Sequence, residues 1–372
     1  MKKAGKKRIL ITVALSALAI LLVIAGTLHL ATGGTVFNRG ARNLLTRMNE
    51  NGDTPDFSFE SGMEQTQAVL GDGLAVANTV GVTCYDKNGN VFDSETMILS
   101  QPVFSTSEDY VLLYDMGGTC LRLLNSSGIT ASAETEAAII CASVSEDGYF
   151  AVCTEESGYK GSVTVCRPDG TAIYKWYSGS GYVTSARTAN NGKQLYVSAL
   201  TDMGSCVYMF DTDSEETRME CSLDGEMIIS VWAASKNSVI AVSDRAAFSI
   251  DDDGVVKELY TFDERTLTSF ARADGYTVLV LSSSAALADG TLVVVTDSGS
   301  VLEGESGEAP LGVSVSGKYI AVLRIAGVEV YNKTLDAVAE LTENTGAKSV
   351  LMRQDGTLIL VTSHRADIYD AT

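Results

Sequence analysis

Residues 141–178 read CASVSEDGYFAVCTEESGYKGSVTVCRPDGTAIYKWYS, and their reading decides the fold. A short apolar run from Ala142 to Val144 is followed by the turn Glu146-Asp147-Gly148. A nearly continuous apolar run then extends from Tyr149 to Cys153. A polar loop over 155–161 leads into 162–166, where Val163 and Val165 fall on one face of an alternating strand. Arg167-Pro168-Asp169-Gly170 is a tight turn, because Pro fixes φ and Gly supplies a positive φ. Residues 171–176 close the unit. Four short strands joined by three turns make a meander with two faces, and it cannot bury both alone. The rest of the chain must stack further copies against it.

Those copies are countable. A short strand, a polar turn and a strong apolar strand recur at residues 73, 109, 148, 192, 237, 275, 317 and 356, a period of 36 to 45 residues. A second marker is the tight turn between the third and fourth strands. It keeps step at Asn88-Gly89, Ser127-Gly128, Asp169-Gly170, Ser214-Glu215, Asp253-Gly254, Ser298-Gly299 and Thr334-Leu335. A period near forty with four strands per unit predicts an all-β chain, a β-propeller of eight four-stranded blades. The eighth unit stops after three strands, at 348–352, 357–362 and 366–369. Residues 56–60, Asp-Phe-Ser-Phe-Glu, alternate and precede the first unit. They are expected to supply the missing strand, with Phe57 and Phe59 on one face beside Ile368, and so to close the ring. Seven blades is the alternative, reached if 65–95 and 348–372 merge.

The chain has 372 residues and a formal charge of −20. Five of its 27 basic residues are Lys2, Lys3, Lys6, Lys7 and Arg8, which leaves 22 against 47 acidic residues in the remainder. A body that acidic repels phosphate backbones, so nucleic-acid binding is excluded. Ile9 opens a run of twenty uncharged residues that ends at Leu28. At about 1.5 Å per residue it matches the roughly 30 Å hydrocarbon core of a bilayer. The apolar run is longer than a signal peptide needs, and Ala25-Gly26-Thr27 is a poor cleavage site. The expected layout is a basic cytoplasmic tail over 1–8, an anchor over 9–30, a spacer over 31–55 and a propeller over 56–372. The tail places the body outside the cell membrane. Within the spacer, Phe37, Ala41, Leu44, Leu45 and Met48 recur at helical spacing, so a short amphipathic helix is expected over 38–48.

The units at 81–95 (GVTCYDKNGNVFDSE) and 162–176 (SVTVCRPDGTAIYKW) resemble the repeat of quinoprotein-like propellers: apolar residues, Asp, two residues, Gly, then an aromatic such as Trp176. The whole layout, and the stretch VLLYDMGG at 111–118 above all, is similar to a family of membrane-anchored extracytoplasmic propellers of Gram-positive anaerobes. That resemblance implies a fold and a location. It implies no activity, because none is attached to the family.

No catalytic set emerges. The body holds one histidine, His364, and no Cys-x-x-Cys, which excludes an ordinary zinc site. The runs at 211–215 (DTDSE) and 251–254 (DDDG) lack the glutamate that completes a calcium loop, and they sit where turns are required. The seven cysteines all fall in expected strands and read as buried thiols, with one or two disulfides left open. There is no Gly-x-Ser-x-Gly elbow. Arg187, Arg272 and Arg353 end the first strands of their units, which ring a propeller channel. They either hold an anion or an acidic partner at the channel mouth, or pair with acids such as Asp274 and Asp355. The chain is therefore expected to be a single-pass, membrane-anchored binding or scaffolding propeller for protein or other envelope components, with no cofactor. The alternative is an envelope polysaccharide hydrolase or lyase using carboxylates at the channel mouth.

Overall fold

The computed structural model describes residues 43–44, 46–47, 56–60, 65–234, 238–283, 289–308, 310–342 and 345–371. Every regular element among them is a β-strand. Seven consecutive meanders of four strands form blades 1 to 7, at 65–96, 102–134, 139–178, 182–224, 228–261, 266–307 and 312–341. Blade 3 is the stretch that decided the fold: Ile139–Val144, Phe150–Thr154, Gly161–Cys166 and Ala172–Ser178, paired in that order. Blade 8 holds Ser349–Met352, Thr357–Val361 and Arg365–Asp370. Eight blades is therefore the count, and 65–96 forms a complete blade of its own rather than merging with the C-terminus.

Burial follows position within the blade. Second strands such as Val111–Asp115, Phe150–Thr154, Tyr276–Ser282 and Thr357–Val361 are buried at every residue. They have strands on both sides and neighbouring blades on both faces, so a continuous run of Val, Leu, Ile and Phe is what they need. Fourth strands such as Val91–Thr96 and Gly128–Glu134 form the rim and alternate toward solvent. The apolar clusters lie between blades. Trp176 of blade 3, for example, packs 5.1 Å from Tyr208 and 5.2 Å from Phe210 of blade 4. Each fully buried Leu, Val or Phe contributes roughly 1.5–3 kcal/mol, and each blade needs both neighbours to collect it.

The ring closes as the alternation of 56–60 requires. Phe57–Ser58 pairs antiparallel with Arg365–Asp370, with Phe57 opposite Ala366 and Ser58 opposite Arg365. Phe59 N–H donates to the His364 carbonyl at 3.0 Å, and the Asp56 carboxylate accepts the Ile368 N–H at 2.8 Å. Phe57 is 1% exposed. It packs with Ile359, Val361, Ala366 and Ile368 of blade 8 and with Leu74, Val76 and Tyr85 of blade 1. The tip of blade 1 yields to this strand. Gly89 has φ 76°, and a Cβ there would collide with the Asp56 carbonyl oxygen.

Closure extends further upstream than the sequence pattern indicates. Thr46–Arg47 pairs antiparallel with Asp370 and Tyr369, and Asn43–Leu44 pairs parallel with Ala339 and Glu340 on the rim of blade 7. The helix expected over 38–48 is therefore corrected at these residues, which are strand. An isolated helix of eleven residues is marginal in water, whereas two open blade edges offer ready-made backbone partners. No described helix is long and apolar enough to cross a membrane, and the run from Ile9 to Leu28 lies outside the described residues.

Candidate functional site

The first strand of every blade is the innermost. It pairs with a strand on one side only, so the backbone groups of its other edge must find partners elsewhere. Pro102–Thr106 and Gly312–Ser316 are accordingly half-buried at nearly every position. Side chains stitch these strands to one another. Ser143 donates to the Ala186 carbonyl at 2.6 Å, and Thr184 to the Ile228 carbonyl at 2.9 Å. Ser105 accepts the Val144 N–H, Ser185 the Val231 N–H and Ser314 the Met352 N–H. These bonds link blades 2 to 3, 3 to 4, 4 to 5 and 7 to 8. Sequence reasoning missed them, although the signal was present: seven of the eight innermost strands contain a serine.

Arg187 and Arg272 lie on these strands, Arg353 directly follows Ser349–Met352, and the three have different surroundings. Arg353 is 8% exposed and donates across the closing seam to the Asp72 carbonyl at 2.6 Å. Arg272 forms a two-pronged ion pair with Asp297, at 2.5 and 2.8 Å, and donates to the Ala233 carbonyl of blade 5. Its acid is Asp297 rather than Asp274. Arg187 makes no ion pair among the described residues, and its Nε is buried without a hydrogen-bond partner. Its guanidinium lies 5.8 Å from the centre of the Trp232 ring. Burial lowers the Arg187 pKa, opposed by Cys141 and Tyr114 and assisted by Arg272. Arg187 and Arg272 thus feel one another's charge, while Arg353 belongs to the seam with blade 1.

Strands alternate in direction, so the first-to-second and third-to-fourth turns all lie at one end of the ring. That end is acidic. Desolvation, then the carboxylates of Asp274, Glu108 and Asp147, hold the Glu146 carboxyl above its usual range, against the pull of Arg272. At blade 4 the same end carries an open polar pocket of about 550 Å³ lined by Asn190, Asn191, Lys193, Gln194, Asp211 and Asp213. The acid-rich turns have structural partners. Asp251 accepts the N–H groups of Asp253 and Val255, and Arg218 bridges Asp211 and Asp252 at 3.2 Å each.

The opposite end carries the second-to-third turns and the links between blades. Over blades 3 to 5 it displays Tyr159, Tyr177, Tyr182, Met203 and Met227, with Tyr182 61% and Met203 71% exposed. The rings of Tyr159 and Tyr177 lie 4.9 Å apart. Lys175 sits over Tyr177, and Lys160 sits over Tyr182 and donates to its hydroxyl at 3.2 Å.

Comparison with known proteins agrees with this architecture. The computationally designed Ika8 protein superposes with a TM-score of 0.61 at 14% identity, over 85% of this chain and 99% of that one. The C-terminal WD40 domain of Sif2 gives 0.59 at 11% identity, over 89% and 99%. BamB from Moraxella catarrhalis gives 0.54 at 15% identity, over 88% and 100%. Likeness at such low identity speaks for the propeller fold alone. No curated protein matches the sequence. Residues 54–369 match a family of unknown function, DUF5711, and the chain belongs to that family.

Proposed function

We propose that this chain is a membrane-tethered, extracytoplasmic propeller that binds or scaffolds an envelope protein, without catalysis. The supporting observation is the end of the ring that carries Tyr159, Tyr177, Tyr182, Met203 and Met227. Tyr and Met are enriched in protein interfaces: Tyr gives a large contact area with few rotatable bonds, and the flexible thioether of Met moulds to a partner. The innermost strands point the same way: many of their serines are engaged in holding blades together and are not poised as nucleophiles. Tethering rests on the uncharged run from Ile9 to Leu28 behind five basic residues.

Crosslinking the full chain in intact membranes tests the docking face. A discrete protein adduct is expected, and it is expected to vanish when Tyr182→Ser and Met203→Ser are combined. An adduct unaffected by both changes overturns the assignment of the face. Protease added to cells stripped of wall is expected to digest the body and leave a short anchored stub, and full protection of 56–372 overturns the outside location. The rival reading, an envelope polysaccharide hydrolase or lyase, draws on Glu146, whose raised pKa is a property that general acids share. Turnover of an envelope glycan that Glu146→Gln abolishes would establish it.

A further inference from the structure

Cys141 and Cys153 stand directly opposite each other across the first two strands of blade 3. Residues opposed in an antiparallel ladder project from the same face, with Cβ atoms about 4.5–5.5 Å apart, close to the separation that a disulfide needs. No other pair among the seven cysteines is so placed. Cys206 and Cys221 come nearest, on adjacent strands, but their ladder partners are Ser222 and Val207, so they point to opposite faces. Cys84, Cys120 and Cys166 oppose no cysteine.

The surroundings make the two sulfurs unequal. Cys153 is fully buried, and Cys141 is partly exposed on the innermost strand. Beside Cys141 is Arg187, the guanidinium without a carboxylate partner among the described residues. The other nearby group able to carry a negative charge is Tyr114, and burial pushes its hydroxyl up to about 12, so it stays neutral. Contact with Cys153 and the charge of Arg187 lower the Cys141 thiol, while contact with Cys141 and burial raise that of Cys153. A cation beside a partly exposed thiol is the setting in which cysteines become nucleophilic.

We propose that Cys141 and Cys153 form a thiol–disulfide exchange site whose substrates are small disulfides reaching Cys141 from the channel. The Cys141 thiolate attacks one sulfur of the external disulfide and forms a mixed disulfide, and the first external thiolate leaves. The Cys153 thiol then attacks the Cys141 sulfur, and its proton goes to the second external thiolate, which leaves as a thiol. The Cys141–Cys153 pair is oxidised by two electrons, the external disulfide is reduced by two, and two external thiols are released. Both partners lie on adjacent strands of one rigid blade, so the bond closes without moving the ring. This inference does not rest on the docking face or on the membrane tether.

The test uses the full chain in detergent with oxidised glutathione as the probe, followed by alkylation of remaining thiols and digestion without reduction. The expected product is a peptide pair joined through Cys141 and Cys153 and lighter by two hydrogens, with two glutathione thiols released per chain. Cys153→Ser is expected to stop at the first step and retain one glutathione on Cys141. Arg187→Met is expected to slow iodoacetamide labelling of Cys141 several-fold at neutral pH and to leave the other cysteines unchanged. A cross-link between any other pair, or failure of the Cys153→Ser variant to capture glutathione at Cys141, overturns the site. Undiminished labelling in the Arg187 variant overturns the role of the guanidinium.

Discussion

Arg353, just past the end of an innermost strand, and Arg187, within one, stand at opposite seams of the ring, the first between blades 8 and 1, the second between blades 4 and 5. Arg353 reaches across its seam and binds the backbone carbonyls of Asp72 and Gly73. Arg187 reaches across its own, lies over Trp232 and finds no carboxylate among the described residues. Burial lowers the pKa of both. Neither makes an ion pair among the described residues and the Nε of each is buried without a hydrogen-bond partner, but Arg353 is held by backbone dipoles across its seam, whereas Arg187 has its charge next to a thiol. The difference teaches that an excess of acid does not by itself pair a base. The acids of this chain crowd the turns at one end, and an arginine further down an inner strand is beyond their reach.

The closing seam is the place to break that contrast, and the largest loss of stability is expected there. Replacing Phe57 and Phe59 together by Ser removes the aromatic wedge between blades 8 and 1. It should cost on the order of 3–5 kcal/mol, discounted because Phe59 is only partly buried. Thermal melting of the full chain measures it, and an unchanged melting temperature would remove the wedge from the account of closure. Deleting 43–47 should lower the melting temperature too, but by less, since two short ladders are lost and the wedge is kept.

Next come the two arginines themselves. Arg353→Met should destabilise by about 1.5–3 kcal/mol, the range for hydrogen bonds to a charged donor, because the Asp72 and Gly73 carbonyls lose their partner. Arg187→Met removes a desolvated charge that has no partner to lose, and a flat apolar chain can still cover Trp232. Its denaturant midpoint should stay within about 0.5 kcal/mol of the parent or rise. Equal losses in the two variants would mean that Arg187 has a structural bond equivalent to that of Arg353. Ser143→Ala falls between them, at about 1 kcal/mol, because it strips the Ala186 carbonyl of a 2.6 Å donor at the seam next to Arg187.

The ring was legible in the sequence because its signals are periodic. Asp-Gly and Asn-Gly turns recur in phase, and the apolar second strands are continuous runs bounded by them. The closing strand was legible because Asp56-Phe57-Ser58-Phe59-Glu60 alternates and had no other partner. Its continuation through Asn43–Leu44 and Thr46–Arg47 was not. Those short pieces have no alternation of their own, and they become strands only because two blade edges are already in place. The arginines were found by position, but their partners were not. The acid of Arg272 is Asp297, twenty-five residues on, brought near by the hairpin of the second and third strands of blade 6. The facing of Cys141 and Cys153 depends on register. A bulge between Ile139 and Cys141 sets that register, and no pattern in the sequence announces the bulge.

The smallest effect concerns the acidic end, where Glu146 sits among Asp274, Glu108 and Asp147 with Arg272 opposing them. Its carboxyl is raised in the folded state, so the folded protein favours the protonated form. Below the unfolded-state pKa both states are protonated and nothing is lost. As pH rises through that value toward the raised folded one, the unfolded chain ionises more readily, and stability is lost. Glu146→Gln is permanently neutral and avoids the loss. The variant should therefore be slightly more stable than the parent at neutral pH, with the gap closing as the pH falls below about 4.5, the ordinary value for a glutamate. Denaturant midpoints measured across that window read the gap directly. A variant less stable than the parent at neutral pH would mean that the Glu146–Arg272 attraction outweighs the crowding of carboxylates. The acidic end would then resemble the Arg353 seam, a place where a charge is fixed, whereas Arg187 would still lack an ion pair among the described residues.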